Sequence, residues 1–136
     1  MKKQIFITDF DLKRFQWLIS NSSKFDENYK TGLEKLNAML NNAVVKQPQE
    51  IPSNIITMNS TIKLKNNNNG EYFTYTLVFP FDADISINKI SVIEDLGLSL
   101  IGSPIGTFIT IDNNEKTIYS VEEIIYQPEA NGNYYI

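Results

Sequence analysis

The stretch Gln47-Pro48-Gln49-Glu50-Ile51-Pro52-Ser53-Asn54-Ile55-Ile56-Thr57-Met58-Asn59-Ser60 divides the chain. Pro48 and Pro52 lack the amide donor that a helix interior or a central strand needs, so neither element can run through residues 47–53. Before this stretch apolar residues recur at helical spacing; after it they alternate, as on a half-buried strand. The sequence therefore predicts a helical hairpin over residues 1–47 and a sheet domain over residues 48–136, an α+β arrangement.

Upstream, Thr8 or Asp9 can cap a helix, with Asp11 in its first turn favouring the helix dipole. Leu12, Phe15, Leu18 and Ile19 follow at helical spacing, and Asn21-Ser22-Ser23 ends the run with residues that prefer local hydrogen bonds. Tyr29, Leu33, Leu36, Leu40 and Ala43-Val44 then form a narrow seam, the pattern of a helix packed on one neighbour. The short polar loop between them predicts an antiparallel hairpin, a short coiled coil. Arms of roughly 12 and 20 residues would extend about 20–30 Å. Gly32 weakens the second arm locally. Trp17 lies off the seam, either as an exposed interface anchor or packed under the sheet domain to set the hairpin angle.

Downstream, Thr61 to Lys65 alternates with Ile62 and Leu64 inward, and Asn66-Asn67-Asn68-Asn69-Gly70 ends in the Asn-Gly pair of a tight hairpin. Phe73, Tyr75, Leu77 and Phe79 line one face of the returning strand, so these two strands should pair antiparallel over a core. Ile90 to Ile93 reads as a short strand and Leu96 to Ile101 as a short helix bounded by Gly102. Phe108 to Ile111 and Thr117 to Tyr126 form a second hairpin around Asp112-Asn113-Asn114. Apolar parity changes between Val121 and Ile124, which a β-bulge near Glu122-Glu123 explains.

Composition narrows the chemistry. At 136 residues, 42% hydrophobic and 12% aromatic, the chain can bury one core, and no apolar run approaches the roughly 18 residues of a membrane span. Residues Met1 to Asp9 turn acidic before a signal-peptide core could form, so a cytoplasmic protein is expected. With 0 Cys and 0 His, thiolate zinc sites, cysteine nucleophiles and a Ser-His-Asp triad are excluded. Oxygen-only Mg²⁺ binding and carboxylate acid–base chemistry stay open. The net charge is −4, and the basic residues are scattered from Lys2-Lys3 to Lys116, so no phosphate-binding stripe forms. Direct sequence-specific nucleic-acid binding is not expected; a protein partner is. No catalytic residue, cofactor or metal is assigned. Asp82 and Asp84, two apart, are read as exposed turn acids rather than a metal pair, and Glu94-Asp95 as support for the following helix.

The stretch Ile51 to Ser60, with its Thr57-Met58-Asn59-Ser60 block, resembles the linker-to-strand junction of the Rnk proteins, called regulators of nucleoside diphosphate kinase. Further blocks follow in the same order: Leu77-Val78-Phe79-Pro80, Ile90-Ser91-Val92, Leu100-Ile101-Gly102 with Ile105-Gly106, and Tyr126-Gln127-Pro128-Glu129-Ala130 before Gly132. The opening Ile7-Thr8-Asp9-Phe10-Asp11 with Arg14 is also similar to the start of that family's first helix. Rnk proteins resemble shortened Gre transcription elongation factors. The resemblance implies an FKBP-like sheet domain docked at the rim of the secondary channel of bacterial RNA polymerase, with a coiled-coil arm pointing inward. It implies competition with Gre factors; the expectation of no enzymatic activity rests instead on the short arm and the absence of His and Cys.

Two alternatives follow from the same resemblance. Asp26 and Glu27, at the hairpin turn, could act as a Gre-like acidic tip that stimulates transcript cleavage, because two-metal chemistry needs carboxylates beside the reacting phosphate. The bland reading has them starting the second helix on an arm roughly half as long as a Gre arm, too short to reach the metal. The FKBP-like fold could also suggest a prolyl isomerase, although fold alone does not carry function. Met58, Asn59, Ser60, Gln127 and Glu129 are candidate partner contacts, with a structural reading beside it: Asn and Ser can bond nearby backbone where a linker enters a sheet, and Pro128 ends a strand. The chain departs from the family at Gly106-Thr107, where the family has Gly-Asp, at Asp112 to Glu115, where it has a Pro-Gly turn, and at Leu96 to Ile101, where its helix is alanine-rich.

Overall fold

A computed structural model describes residues 5–112 and 115–136. The chain opens with strand β1 (Phe6–Thr8), helix α1 (Asp9–Ser20), helix α2 (Glu27–Leu40) and strand β2 (Val44–Lys46). Strands β3 (Thr61–Asn66), β4 (Tyr72–Val78) and β5 (Lys89–Ser91), helix α3 (Asp95–Leu100), and strands β6 (Phe108–Asp112) and β7 (Lys116–Tyr126) follow. The architecture is α+β.

Both long helices start on side-chain caps. Thr8 Oγ1 accepts from the Asp11 amide at 2.9 Å and Asp26 Oδ1 from the Tyr29 amide at 3.1 Å, each filling a donor site the first turn leaves open. α1 ends at Asn21, as expected, but α2 has 14 residues rather than about 20. The seam does not continue through Ala43-Val44. Val44–Lys46 is instead extended and pairs parallel with β1 in the register Phe6↔Val44 to Thr8↔Lys46, with the Val44 amide donating to the Ile5 carbonyl at 2.8 Å. This two-strand clip closes the base of the helical hairpin.

The main sheet has the order β5-β4-β3-β7-β6. Ile62 and Leu64 are fully buried beneath it, and the Asn66–Gly70 turn joins β3 to β4, with Gly70 at φ +79° in the left-handed region. One edge corrects the expectation of a purely antiparallel sheet: β5 runs parallel to β4 (Thr76↔Lys89, Val78↔Ser91), because two 3₁₀ turns at Pro80–Asp82 and Ile85–Ile87 carry the chain back before it pairs. The bulge at Glu122 is present, since Lys63 faces Glu123 while Leu64 faces Val121. A second irregularity leaves Ile125 between the partners of Ile62 and Thr61. Asn113 and Asn114, in the turn expected between β6 and β7, lie outside the described residues.

Phe15, Leu18, Leu33 and Leu36 from the helices join Ile62, Leu64, Leu77 and Ile90 from the sheet in one buried cluster. The seam expected for a coiled coil thus serves a core shared with the sheet, and the hairpin lies along the domain. Gly32, read from sequence as a weak point, is where α2 comes closest: a Cβ there would lie 2.4 Å from the Ile93 carbonyl oxygen. Only glycine lets the two backbones approach this far.

Candidate functional site

Three places gather the residues of interest. At the hairpin tip, Asp26 and Glu27 are exposed. Asp26 is the α2 cap, and Glu27 lies 3.5 Å from Lys30 Nζ, a solvent-exposed pair of little energetic weight. Phe25, beside them, stacks on Tyr29 at 5.3 Å and meets Phe81 of the sheet domain at 5.3 Å. The tip is therefore anchored by apolar contact one residue from its acids. Among the described residues no group of three or more His, Cys, Asp or Glu side chains could hold a metal ion.

The second place is the junction between the linker and the C-terminal segment. Met58 and Ser60 are buried, at 1% and 0% exposure, and Gln127 at 2%. The Ser60 hydroxyl accepts from the Thr57 amide at 3.0 Å and shares a hydrogen bond with the Thr57 hydroxyl, which donates to Glu129 Oε1 at 2.6 Å. Gln127 Nε2 donates to the carbonyls of Pro52 and Ile55 at 2.8 and 2.7 Å, so one amide binds two turns of the linker to the end of β7. Asn59 stands at φ +65°, a left-handed position that asparagine tolerates, and its amide donates to the Leu77 carbonyl at 2.6 Å. Of the five, Asn59 and Glu129 keep partial exposure. The two blocks, 72 positions apart at Thr57 and Glu129, are thus brought together in space as a hydrogen-bonded node.

The third place was only half visible beforehand. Trp17 is 53% exposed and its ring meets Phe81, itself 64% exposed, at 6.2 Å. Arg14, one turn away, lies over the rings of Phe10 and Phe79 at 4.4 and 4.3 Å, ion-pairs with Asp11, and donates to the Ile136 carbonyl at 2.8 Å. Asp11 is 3% exposed, and burial pushes its carboxyl up to about 6 although Arg14 opposes the shift. Trp17, Arg14, Phe79, Phe81 and Asp82 line a shallow cavity of about 250 Å³ between α1 and the turn after β4. Phe81 had no signal in the sequence: it follows Pro80 in a 3₁₀ turn that breaks the alternation of β4, so no periodicity marks its face. Asp82 and Asp84 are exposed in this region, and Asp84 caps the turn at Ile85–Ile87 by accepting from the Ser86 amide.

Comparison with known proteins supplies what this geometry lacks. A family model described as transcription elongation factor GreA/GreB, C-terminal, matches residues 51–126. A regulator of nucleoside diphosphate kinase from Escherichia coli (strain K12) is 34% identical over 135 residues, covering 96% of this chain and 95% of its own. Transcription elongation factor GreA from Clostridium beijerinckii is 33% identical over 92 residues, 67% of this chain and 58% of its own. Among solved structures, a prokaryotic transcription elongation factor GreA/GreB from Nitrosomonas europaea superposes with a TM-score of 0.76 at 31% identity, covering 92% of this chain and all of that one.

Proposed function

Since the chain belongs to the GreA/GreB family and is similar over nearly its full length to a regulator of nucleoside diphosphate kinase, we propose that it is a transcription regulator that binds bacterial RNA polymerase. It docks through residues 48–136, an FKBP-like unit at the rim of the secondary channel, and competes there with Gre factors. It brings no transcript cleavage and no other catalysis of its own.

The observation that carries this reading is the short, anchored hairpin. Helices of 12 and 14 residues measure about 18 and 21 Å, and the tip is held back on the sheet domain by Phe25 against Phe81. Asp26 spends one carboxylate oxygen on capping α2. A tip acid that stimulates phosphodiester hydrolysis must stand within a few Å of a catalytic metal, and the shortness and anchoring of this hairpin support the reading in which none is delivered. In this reading Asp26, Glu27, Asn59 and Glu129 offer polar contacts to the polymerase, while Met58, Ser60 and Gln127 hold that surface in shape from beneath.

A second reading, stimulation of cleavage through Asp26 or Glu27, is favoured by their exposure alone. One pair of assays separates the two. Purified chain titrated against a labelled Gre factor on core RNA polymerase should displace it, and failure to displace it overturns the docking proposal. Backtracked elongation complexes incubated with the chain should keep their transcript length; shortened transcripts would transfer the argument to the second reading.

A further inference from the structure

Residues 129–136 fold back over the start of α1. Tyr135 meets Phe10 edge-on at 5.5 Å. The Ile136 carbonyl accepts from Arg14 Nη2 at 2.8 Å and from Asn59 Nδ2 at 3.2 Å. Glu129, which opens the 3₁₀ turn Glu129–Asn131, accepts from the Thr57 hydroxyl at 2.6 Å. Tyr135 and Ile136 stay 66% and 51% exposed, so little apolar burial holds the segment in place. A segment of this kind opens locally at small cost.

Asp11 is the buried acid of the helix turn that the segment meets. Among the described residues two charged groups act on it: Arg14, its ion-pair partner on α1, and Glu129 from the segment itself. Thr8, at the end of β1, adds a hydrogen bond. The Arg14 nitrogen that pairs with Asp11 is also the one that holds Ile136. Closing the segment therefore brings a second carboxylate towards one already withdrawn from water. A neutral Asp11 tolerates that approach; a charged one is poorly hydrated and repelled by Glu129.

We propose that residues 129–136 form a strap governed by the proton on Asp11, closed over α1 while that carboxyl is neutral and loosened when it is charged. The direction follows from linkage. Burial, and to a smaller extent Glu129, hold the carboxyl at about 6 in the closed form against an ordinary 3.8. Opening admits water and removes Glu129, so the open form has the lower value. Closure is fully supported below about pH 3.8 and loses that support as pH rises through 6. A difference of about two pH units caps the change in the open-to-closed ratio at about 100-fold. Arg14 stays beside Asp11 on the helix in both forms, so the strap is what yields. Opening frees the Phe10 ring, one Arg14 donor and the Asn59 side chain. Any effect on polymerase affinity through Asn59 and Glu129 rests on the docking reading above, whereas the strap is tested on the chain alone.

Amide exchange of the whole chain, corrected for the intrinsic pH dependence of exchange, reads the strap at Asn131, Gly132 and Asn133. Their amides donate to the Pro128 or Glu129 carbonyl at 3.0, 3.2 and 2.8 Å, bonds that end when the turn opens. Protection of these amides should fall about 10- to 25-fold between pH 4.5 and 7.5. It should stay below that of Leu64 in the central strand, which reports global unfolding. Asp11→Asn, neutral at every pH, should flatten the profile. Glu129→Gln, which keeps an acceptor for Thr57, should reduce its slope, and carries the comparison alone if Asp11→Asn loses its native circular dichroism. Equal protection at both pH values overturns the proposal, as does a slope that the natively folded variants leave unchanged. So does exchange of the three amides at the rate of Leu64, since opening would then be global.

Discussion

Replacing Gly32 with alanine should destabilise the protein, although the helix rule alone predicts a gain. An interior helical glycine costs about 1 kcal/mol relative to alanine, so the substitution carries that much in its favour. Against it stands the contact with residue 93. The new Cβ would sit 2.4 Å from the Ile93 carbonyl oxygen and 2.8 Å from Ile93 Cβ. Comfortable separations are about 3.5 Å, so α2 must withdraw by about 1 Å, opening the joint it shares with α3 and loosening the dispersion contacts there. Overpacking costs typically 1–3 kcal/mol, and an obstacle made of backbone, which cannot rotate aside, places this case at or above the top of that range. The net loss is about 2 kcal/mol, which for a chain of this length lowers Tm by about 6–10 °C. Urea unfolding followed by circular dichroism reads it directly: the midpoint should fall with the slope unchanged. A Gly32→Ala protein as stable as the parent, or more so, would refute the close approach of α2 to the sheet domain.

Other expectations follow from the same contacts. Asp11 is held at about 6 in the fold against an ordinary 3.8, so its contribution is fully present below about pH 3.8 and is lost as pH rises through 6; the span is up to about 3 kcal/mol. Asp11→Asn should therefore flatten stability between pH 4 and 7 relative to the parent, and identical pH profiles would exclude a buried, titrating carboxyl. Gln127→Leu keeps the volume but strips the donor from the Pro52 and Ile55 carbonyls, and should cost about 2–3 kcal/mol in chemical denaturation. Asp26→Ala should lose about 1 kcal/mol of stability while Asp26→Asn, which still caps, should not; equal losses would show that charge rather than capping sets the effect.

Local chemistry made much of the fold readable in advance. Thr8 as a cap, the proline pair at Pro48 and Pro52, the Asn69-Gly70 turn and the parity break at Glu122 each act within a few residues, so each was visible in one dimension. What escaped depends on distant partners. Val44–Lys46 continues a plausible helical seam until β1, some 38 positions earlier in the register Phe6↔Val44, offers it a ladder. Gly32 is a weak helix former until Ile93 arrives beside it. The site divides the same way. Met58, Ser60 and Gln127 are family markers in the sequence, and all three are buried, whereas Phe81 comes to notice only because Trp17 from α1 and Phe25 from the interhelical turn converge on it.

The parallel clip of β1 and β2 has a consequence for how such chains can vary. Because both ends of the helical excursion are pinned side by side, material added to its far end in matched amounts leaves the register of the clip unchanged, although it carries Phe25 away from Phe81. One heptad inserted into each helix would lengthen the hairpin by about 10 Å, while the clip, and the sheet behind it, kept their register. Reach is thus a separable variable in this architecture, adjustable by paired insertions while the main sheet keeps its register.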